Sequence, residues 1–277
     1  MTFAIANYIQ HQRELIDLLN PRCARRFLFI EGPRDYGKTL LLNWLDTNVQ
    51  QPSLLLYFDL GASHQILSPA LILATSASRI GKSHMTRFAA HQRALQSRPI
   101  SASASGNTVT GRNITLIATA VGETAEEKLY NAIEMTDHFV EDLVELPASF
   151  PPIVFAFDGY DHAKPDQAML LINQWLDQSF LPSLARASCS RLILAGRAVP
   201  NPSAKAWSAW SASIKLQGVR ETNEWMEVVK KLKKRYPPIA NGNPVRYLEI
   251  VIDTLQGIPG PIMTIVQSFP SEETASG

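Results

Sequence analysis

The chain has 277 residues, 45% hydrophobic and 18% charged, which suits one large globular domain, or one large and one small, and excludes a disordered chain. Its 26 basic and 25 acidic residues leave a net charge of +1, so no strong general hold on nucleic acid or on an anionic membrane is expected. Two cysteines, Cys23 and Cys189, exclude a disulfide framework and suit a reducing, cytoplasmic setting; no signal peptide and no run of roughly 18 apolar residues is present, so no membrane partner is expected.

In chain order, Ile9, Leu15, Leu18 and Leu19 share one face of a helix over residues 8–19, ended by Asn20-Pro21. Residues 27–30 are a short buried strand, followed by a glycine-bearing loop and a helix to about residue 48. Residues 53–59 form an apolar run of strand length, expected to be buried on both faces. Helices are predicted over 68–77 and 84–96. Residues 97–113, rich in Ser and Gly, are expected to be an exposed insertion, with a flexible linker as the alternative. A long amphipathic helix spans 125–146, and a buried strand over 153–158 ends in a carboxylate. A helix over 169–175, a buried strand over 191–197 and a short strand over 214–216 follow. Helices are predicted over 221–236, 247–256 and 261–268. Strands alternating with helices predict an α/β fold: a parallel sheet sandwiched by helices. Two parts are expected, a core over 1–218 and a small helical subdomain over 219–277 with a polar C-terminal tail.

The loop reads Gly32, Pro33, Arg34, Asp35, Tyr36, Gly37, Lys38, Thr39, which fits the phosphate-binding pattern G-x-x-x-x-G-K-[ST] (Walker A) between a strand and a helix N-terminus. Backbone N–H groups and the helix dipole there favour an anion. Lys38 is expected to reach the β- and γ-phosphates and the Thr39 hydroxyl to ligate Mg²⁺. Such a match arises by chance in roughly 1 in 100 chains of this length, so its strand and helix context matters. These eight residues, with Leu40 after them, are the expected binding site for ATP or ADP.

Asp158, after five apolar residues, is expected at the C-terminal edge of a central strand, where ligands of open α/β sheets bind. It matches the Walker B carboxylate that holds Mg²⁺ opposite Thr39. Gly159, not glutamate, follows it. Asp161 is therefore the expected water-positioning residue, brought back by a turn, with a capping or solvent-facing residue as the plain alternative. His162 is a weaker candidate. Arg197 is expected either to read the γ-phosphate or to make a salt bridge on the sheet rim. Gly81-Lys82-Ser83 imitates the end of a phosphate loop but has no strand before it. The basic run over 230–235 is read as the solvated end of a helix, and the five tryptophans as packing residues.

In this order, the loop, the 153–161 segment, the strand ending in Arg197 and the helical tail with Gly257-Ile258-Pro259 resemble the STAND class of P-loop ATPases. These are signal-transduction ATPases related to AAA+ proteins and include the NACHT and NB-ARC groups. Asp158-Gly159-Tyr160-Asp161 is similar to the NACHT form of Walker B, with His162 standing where that form has a further acidic residue. Residues 106–114 and 195–200 look similar to segments of bacterial STAND-like proteins of conflict or signalling systems. The resemblance implies Pro259 near the adenine, a helical lid, and an ATP-binding, ATP-hydrolysing switch. It further implies a protein partner or a nucleotide-dependent homo-oligomer. Neither an effector module nor a sensing repeat array is evident. Three alternatives stay open: a non-hydrolysing nucleotide-bound scaffold, a P-loop kinase of a small molecule, and a DNA-associated ATPase, which the near-neutral charge disfavours.

Overall fold

A computed structural model describes residues 9–20, 22–48, 53–61, 67–97, 124–161, 167–240 and 242–271. The expected exposed insertion beyond Ser97, His162 and the C-terminal tail from residue 272 lie outside the described residues. Five strands form the sheet: β1 (Phe27–Glu31), β2 (Leu54–Asp59), β3 (Ile153–Asp161), β4 (Ser190–Ala198) and β5 (Ser211–Lys215). All their pairings are parallel and the order is β2-β3-β4-β1-β5, the α/β class expected. The helices are α1 (Ile9–Leu19), α2 (Lys38–Asn48), α3 (Pro69–Ile80), α4 (Thr86–Gln96), α5 (Ala125–Val144), α6 (Gln167–Trp175), α7 (Leu181–Leu184), α8 (Thr222–Lys231), α9 (Pro244–Thr254) and α10 (Pro259–Gln267).

Strand side chains alternate between faces, and both faces of the three inner strands are apolar. Phe27, Phe29, Phe155, Phe157, Leu192 and Leu194 pack against α3 to α7. Leu28, Ile30, Val154, Ala156, Ile193 and Ala195 pack against α1, α2 and α8 to α10. The chain therefore leaves β1 toward one face and leaves β3 and β4 toward the other. The C-terminal ends of these strands are the position where open α/β sheets take ligands.

Local sequence sets several helix ends. Thr124 and Glu127 form a reciprocal capping box at the start of α5, and Ser68 caps α3 with Pro69 in its first turn. Gly81 ends α3, so Gly81-Lys82-Ser83 is a helix terminus and not a second phosphate loop. Trp175, Trp207 and Trp225 are fully buried, and Trp207 stacks on Phe29 at 5.1 Å between ring centroids.

Other helix ends are closed from far along the chain. Met85 gives α4 no side-chain cap; the buried Asp142 of α5 accepts the N–H groups of Arg87 at 3.2 Å and Phe88 at 3.0 Å instead. Asp142→Ala strands those donors and removes a negative charge from a helix N-terminus. We expect it to lower unfolding free energy by about 2–3 kcal/mol in urea denaturation, and a change below about 0.5 kcal/mol would contradict this. At the N-terminal end of β4, the central strand, the buried Arg191 donates to the carbonyls of Leu18 and Asn20 at the end of α1. Arg26 does the same for Ala185 and Ala187 after α7.

Three expectations are corrected. β2 is not buried on both faces: it is an edge strand with Tyr57 and Asp59 exposed, because only β3 flanks it. β3 does not turn after Asp158 but continues to Asp161 through an irregularity at Gly159, where φ is 76°. α8 stops at Lys231 rather than near residue 236, with Lys233 at a φ of 52°. Lys230 and Lys231 do end the helix. Lys234, by contrast, donates to the Phe269 carbonyl at 2.9 Å and the Arg235 N–H to that of Pro270 at 2.8 Å, tying this turn to the chain after α10.

Candidate active site

The loop over residues 32–39 leaves the end of β1 and enters α2 at Lys38. Its backbone takes left-handed values at Asp35 (φ 67°) and Gly37 (φ 82°), so it curls around its own centre. The Lys38 ammonium lies across the loop, donating to the carbonyls of Gly32 at 2.6 Å and Pro33 at 2.5 Å. Burial lowers the pKa of Lys38; Asp158 and Asp35 oppose that shift, and Arg197 adds to it. Arg34 is on the solvent side of the loop. Tyr36 and Leu40 pack at the edge of the cluster that holds α1, α2 and the C-terminal helices.

Ala156 of β3 faces α2, and by strand alternation so does Asp158. Thr39, in the first turn of α2, donates its hydroxyl to Asp158 Oδ2 at 2.6 Å. The Gly159 N–H donates to Asp158 Oδ1 at 2.8 Å. A third donor was not foreseen: Tyr57 of β2 gives its hydroxyl to the same Oδ2 at 3.0 Å. Tyr57 pairs with Ala156 across the β2–β3 ladder, so its ring reaches forward along the strand to Asp158. Burial first, then the Asp158 charge and hydrogen bond, push the Tyr57 phenol far above its ordinary pKa. The signal in the sequence was the position of Tyr57, two residues before Asp59 and therefore on the same strand face.

The irregularity at Gly159 decides where Asp161 lies. β3 has one extra residue between Phe157 and Tyr160 and β4 one between Gly196 and Ala198, so the register slips at Tyr160 and is restored at Asp161. Tyr160 enters the core beside the phenylalanines, while Asp161 returns to the face that carries Asp158. Gly196 makes this possible: a Cβ there would come within 2.0 Å of the Tyr160 carbonyl oxygen. Arg197 follows it, and its guanidinium makes an ion pair and hydrogen bond with Asp161. The side chain of Asp161 is only 10% exposed and that of Arg197 is 61% exposed, so the carboxylate is enclosed and the guanidinium faces solvent. Of the two expectations for Arg197, the rim salt bridge is the one formed here, and its charge also acts on Lys38 of the loop.

Pro259 begins α10 and is buried. Its neighbour Gly260 donates its N–H to the Asp35 carbonyl of the loop at 2.8 Å. Prolines at 259 and 261 have no N–H, so Gly260 is the one donor in the first three residues of α10, and it is directed at the phosphate loop. Gly260 is a close approach: a Cβ there would be 2.8 Å from Asp35 Cβ and 3.0 Å from Asp35 O.

The contacts Thr39–Asp158, Arg197–Asp161 and Gly260–Asp35 thus bring the expected residues on the loop, Asp158, Asp161, Arg197 and Pro259 to the same end of the sheet. Among the described residues no group of three or more His, Cys, Asp or Glu side chains could hold a metal ion. The hydroxyl of Thr39 and carboxylate of Asp158 nevertheless fit Mg²⁺, which takes few protein ligands and completes its shell with water and phosphate oxygens. No described helix is long and apolar enough to cross a membrane.

No family model matches the chain, and no curated protein matches it. Among solved structures, the chain is similar to a Signal Transduction ATPase with Numerous Domains (STAND) protein with a tetratricopeptide repeat sensor from Pyrococcus horikoshii, at 13% identity and a TM-score of 0.49. That match covers 96% of this chain and 30% of the other, so this chain spans less than a third of that protein. It is also similar to a Walker-type ATPase of Pyrococcus abyssi, at 15% identity and a TM-score of 0.48, over 95% of this chain and 67% of that one.

Proposed function

We propose that the chain binds ATP with Mg²⁺ and hydrolyses it, and that the nucleotide controls the position of a helical lid over residues 219–277, as in a STAND-type switch. The observation that carries this reading is the 2.6 Å contact between the Thr39 hydroxyl and the Asp158 carboxylate at the mouth of a phosphate loop. In this reading the loop amides and Lys38 hold the phosphates, and Thr39 and Asp158 hold the metal ion. Mg²⁺, when bound, supplies positive charge to the phosphate oxygens. Thr39 keeps its hydroxyl proton on Asp158 and offers a lone pair to the ion.

Arg197 and Asp161 act as a pair. A γ-phosphate competes with Asp161 for the guanidinium, and the exposed Arg197 is the partner able to move. As Arg197 turns to the phosphate, Asp161 is released to hold a water in line or accept its proton. Pro259 and Gly260 bring α10 to the loop, so loop and lid positions are coupled. Signalling or defence as the setting, a protein partner, nucleotide-dependent assembly and a cytoplasmic location belong to the same proposal.

A second reading has a specific observation in its favour. Asp161 is engaged by Arg197, which suits a scaffold that keeps its nucleotide unhydrolysed. Phosphate release by purified protein without an added acceptor separates the two. We expect turnover with ATP and Mg²⁺, and a loss of about 100-fold or more in Asp158→Ala. Nucleotide binding without phosphate release would favour the scaffold.

A further inference from the structure

Asp158 is held by more than the two elements that the phosphate-loop reading requires. Oδ1 accepts the Gly159 N–H at 2.8 Å. Oδ2 accepts two hydroxyls, Thr39 at 2.6 Å from α2 and Tyr57 at 3.0 Å from β2. The Thr39 oxygen has lone pairs to offer a cation while its proton stays on Asp158. The Tyr57 oxygen is on the β2 side of the carboxylate, opposite the strands that lead to β1, and has no part in the loop. β2 is the sheet edge, and Tyr57 is 39% exposed. A tyrosine on a half-open strand face, with its hydroxyl spent on a carboxylate that is only 5% exposed, does little for the core. Leu56 and Phe58, its neighbours on the other face, do the packing.

We propose that Tyr57 is a positioning residue for Mg²⁺: its hydroxyl fixes the rotation of the Asp158 carboxylate so that the carboxylate and the Thr39 hydroxyl meet one cation. This rests on the reading of the loop as an ATP–Mg²⁺ site. Partners that orient a metal-binding carboxylate typically alter metal affinity about 10- to 100-fold when removed. Tyr57→Phe keeps the ring and its packing and deletes only the hydroxyl.

The test is ATP binding by calorimetry or fluorescence, first in EDTA and then across a Mg²⁺ titration, for wild type, Tyr57→Phe, Asp158→Asn and the double variant, with melting temperatures recorded for each. Tyr57→Phe is expected to bind ATP as wild type does in EDTA and to need about 10-fold more Mg²⁺ for half of the metal-dependent effect. In the Asp158→Asn background the same substitution is expected to change nothing further, because the two act through one contact. A Tyr57→Phe protein that titrates like wild type overturns the role of Tyr57 alone. So does one that loses binding equally in EDTA and in Mg²⁺, which marks a structural residue. An additive effect in the double variant overturns it too. Wild-type protein that binds no ATP in either condition overturns the loop reading and this proposal with it.

Discussion

Lys38→Ala is expected to weaken ATP binding by about 10- to 100-fold while leaving the protein folded. The Lys38 ammonium is the only cation carried by the first turn of α2, and its Nζ already lies across the loop on the carbonyls of Gly32 and Pro33. A charge-assisted contact from that position to a phosphate oxygen is worth about 1.5–3 kcal/mol, and each 1.4 kcal/mol is a factor of ten. The half-buried setting keeps water from replacing the lost charge fully. The loop keeps its shape through other contacts: the Gly32 N–H donates to the Gly196 carbonyl at 3.0 Å and the Leu41 N–H to that of Gly37 at 2.9 Å. Equilibrium binding with a non-hydrolysable analogue, beside a melting curve, reads both quantities. Unchanged affinity would remove the phosphate loop from the account, and with it the proposed function.

Gly260→Ala is expected to uncouple the C-terminal helices from the loop. Its Cβ would press on the Asp35 Cβ and carbonyl, so either α10 recedes or the loop shifts, and the 2.8 Å hydrogen bond between them is lost. Overpacking of this kind costs about 1–3 kcal/mol, and a single neutral hydrogen bond about 1 kcal/mol more. The local opening equilibrium of α10 then rises by about 30- to 1,000-fold, while the sheet and its outer helices remain intact. Hydrogen exchange over residues 259–267, with and without ATP, measures this. Wild type should show nucleotide-dependent protection there and Gly260→Ala should show little. Protection retained in Gly260→Ala would mean that α10 answers to nucleotide through another contact, or that this region is no lid.

The alternation of apolar strands and amphipathic helices was enough to foresee the α/β class, because a strand buried on both faces needs helices on both. The loop was legible for a similar reason. Its pattern rests on local backbone geometry, a helix N-terminus and two side chains, all inside eight consecutive positions. Asp158 could be read from its place after five apolar residues. What misled was distance along the chain. The apolar run in β2 looked fully buried, yet whether a strand is central or at the edge depends on which neighbours arrive, and no residue of β2 records that. The turn expected after Asp158 is an irregular strand continuation, because β4 supplies hydrogen-bond partners as far as Ala198.

The sequence by itself determined the strand and helix alternation and the glycine-bearing loop between a strand and a helix, since each depends on neighbours within a few residues. Only the tertiary structure decided how these residues meet. Tyr57 and Thr39 come to Asp158 from 101 and 119 residues away, and Arg197 meets Asp161 across two strands. Asp142 caps a helix 54 residues before it, and Gly260 closes on Asp35 from the far end of the chain. Such contacts depend on strand order, on local shifts of register and on the absence of a single Cβ. They are properties of packing between distant segments, and periodicity along the chain carries no record of them.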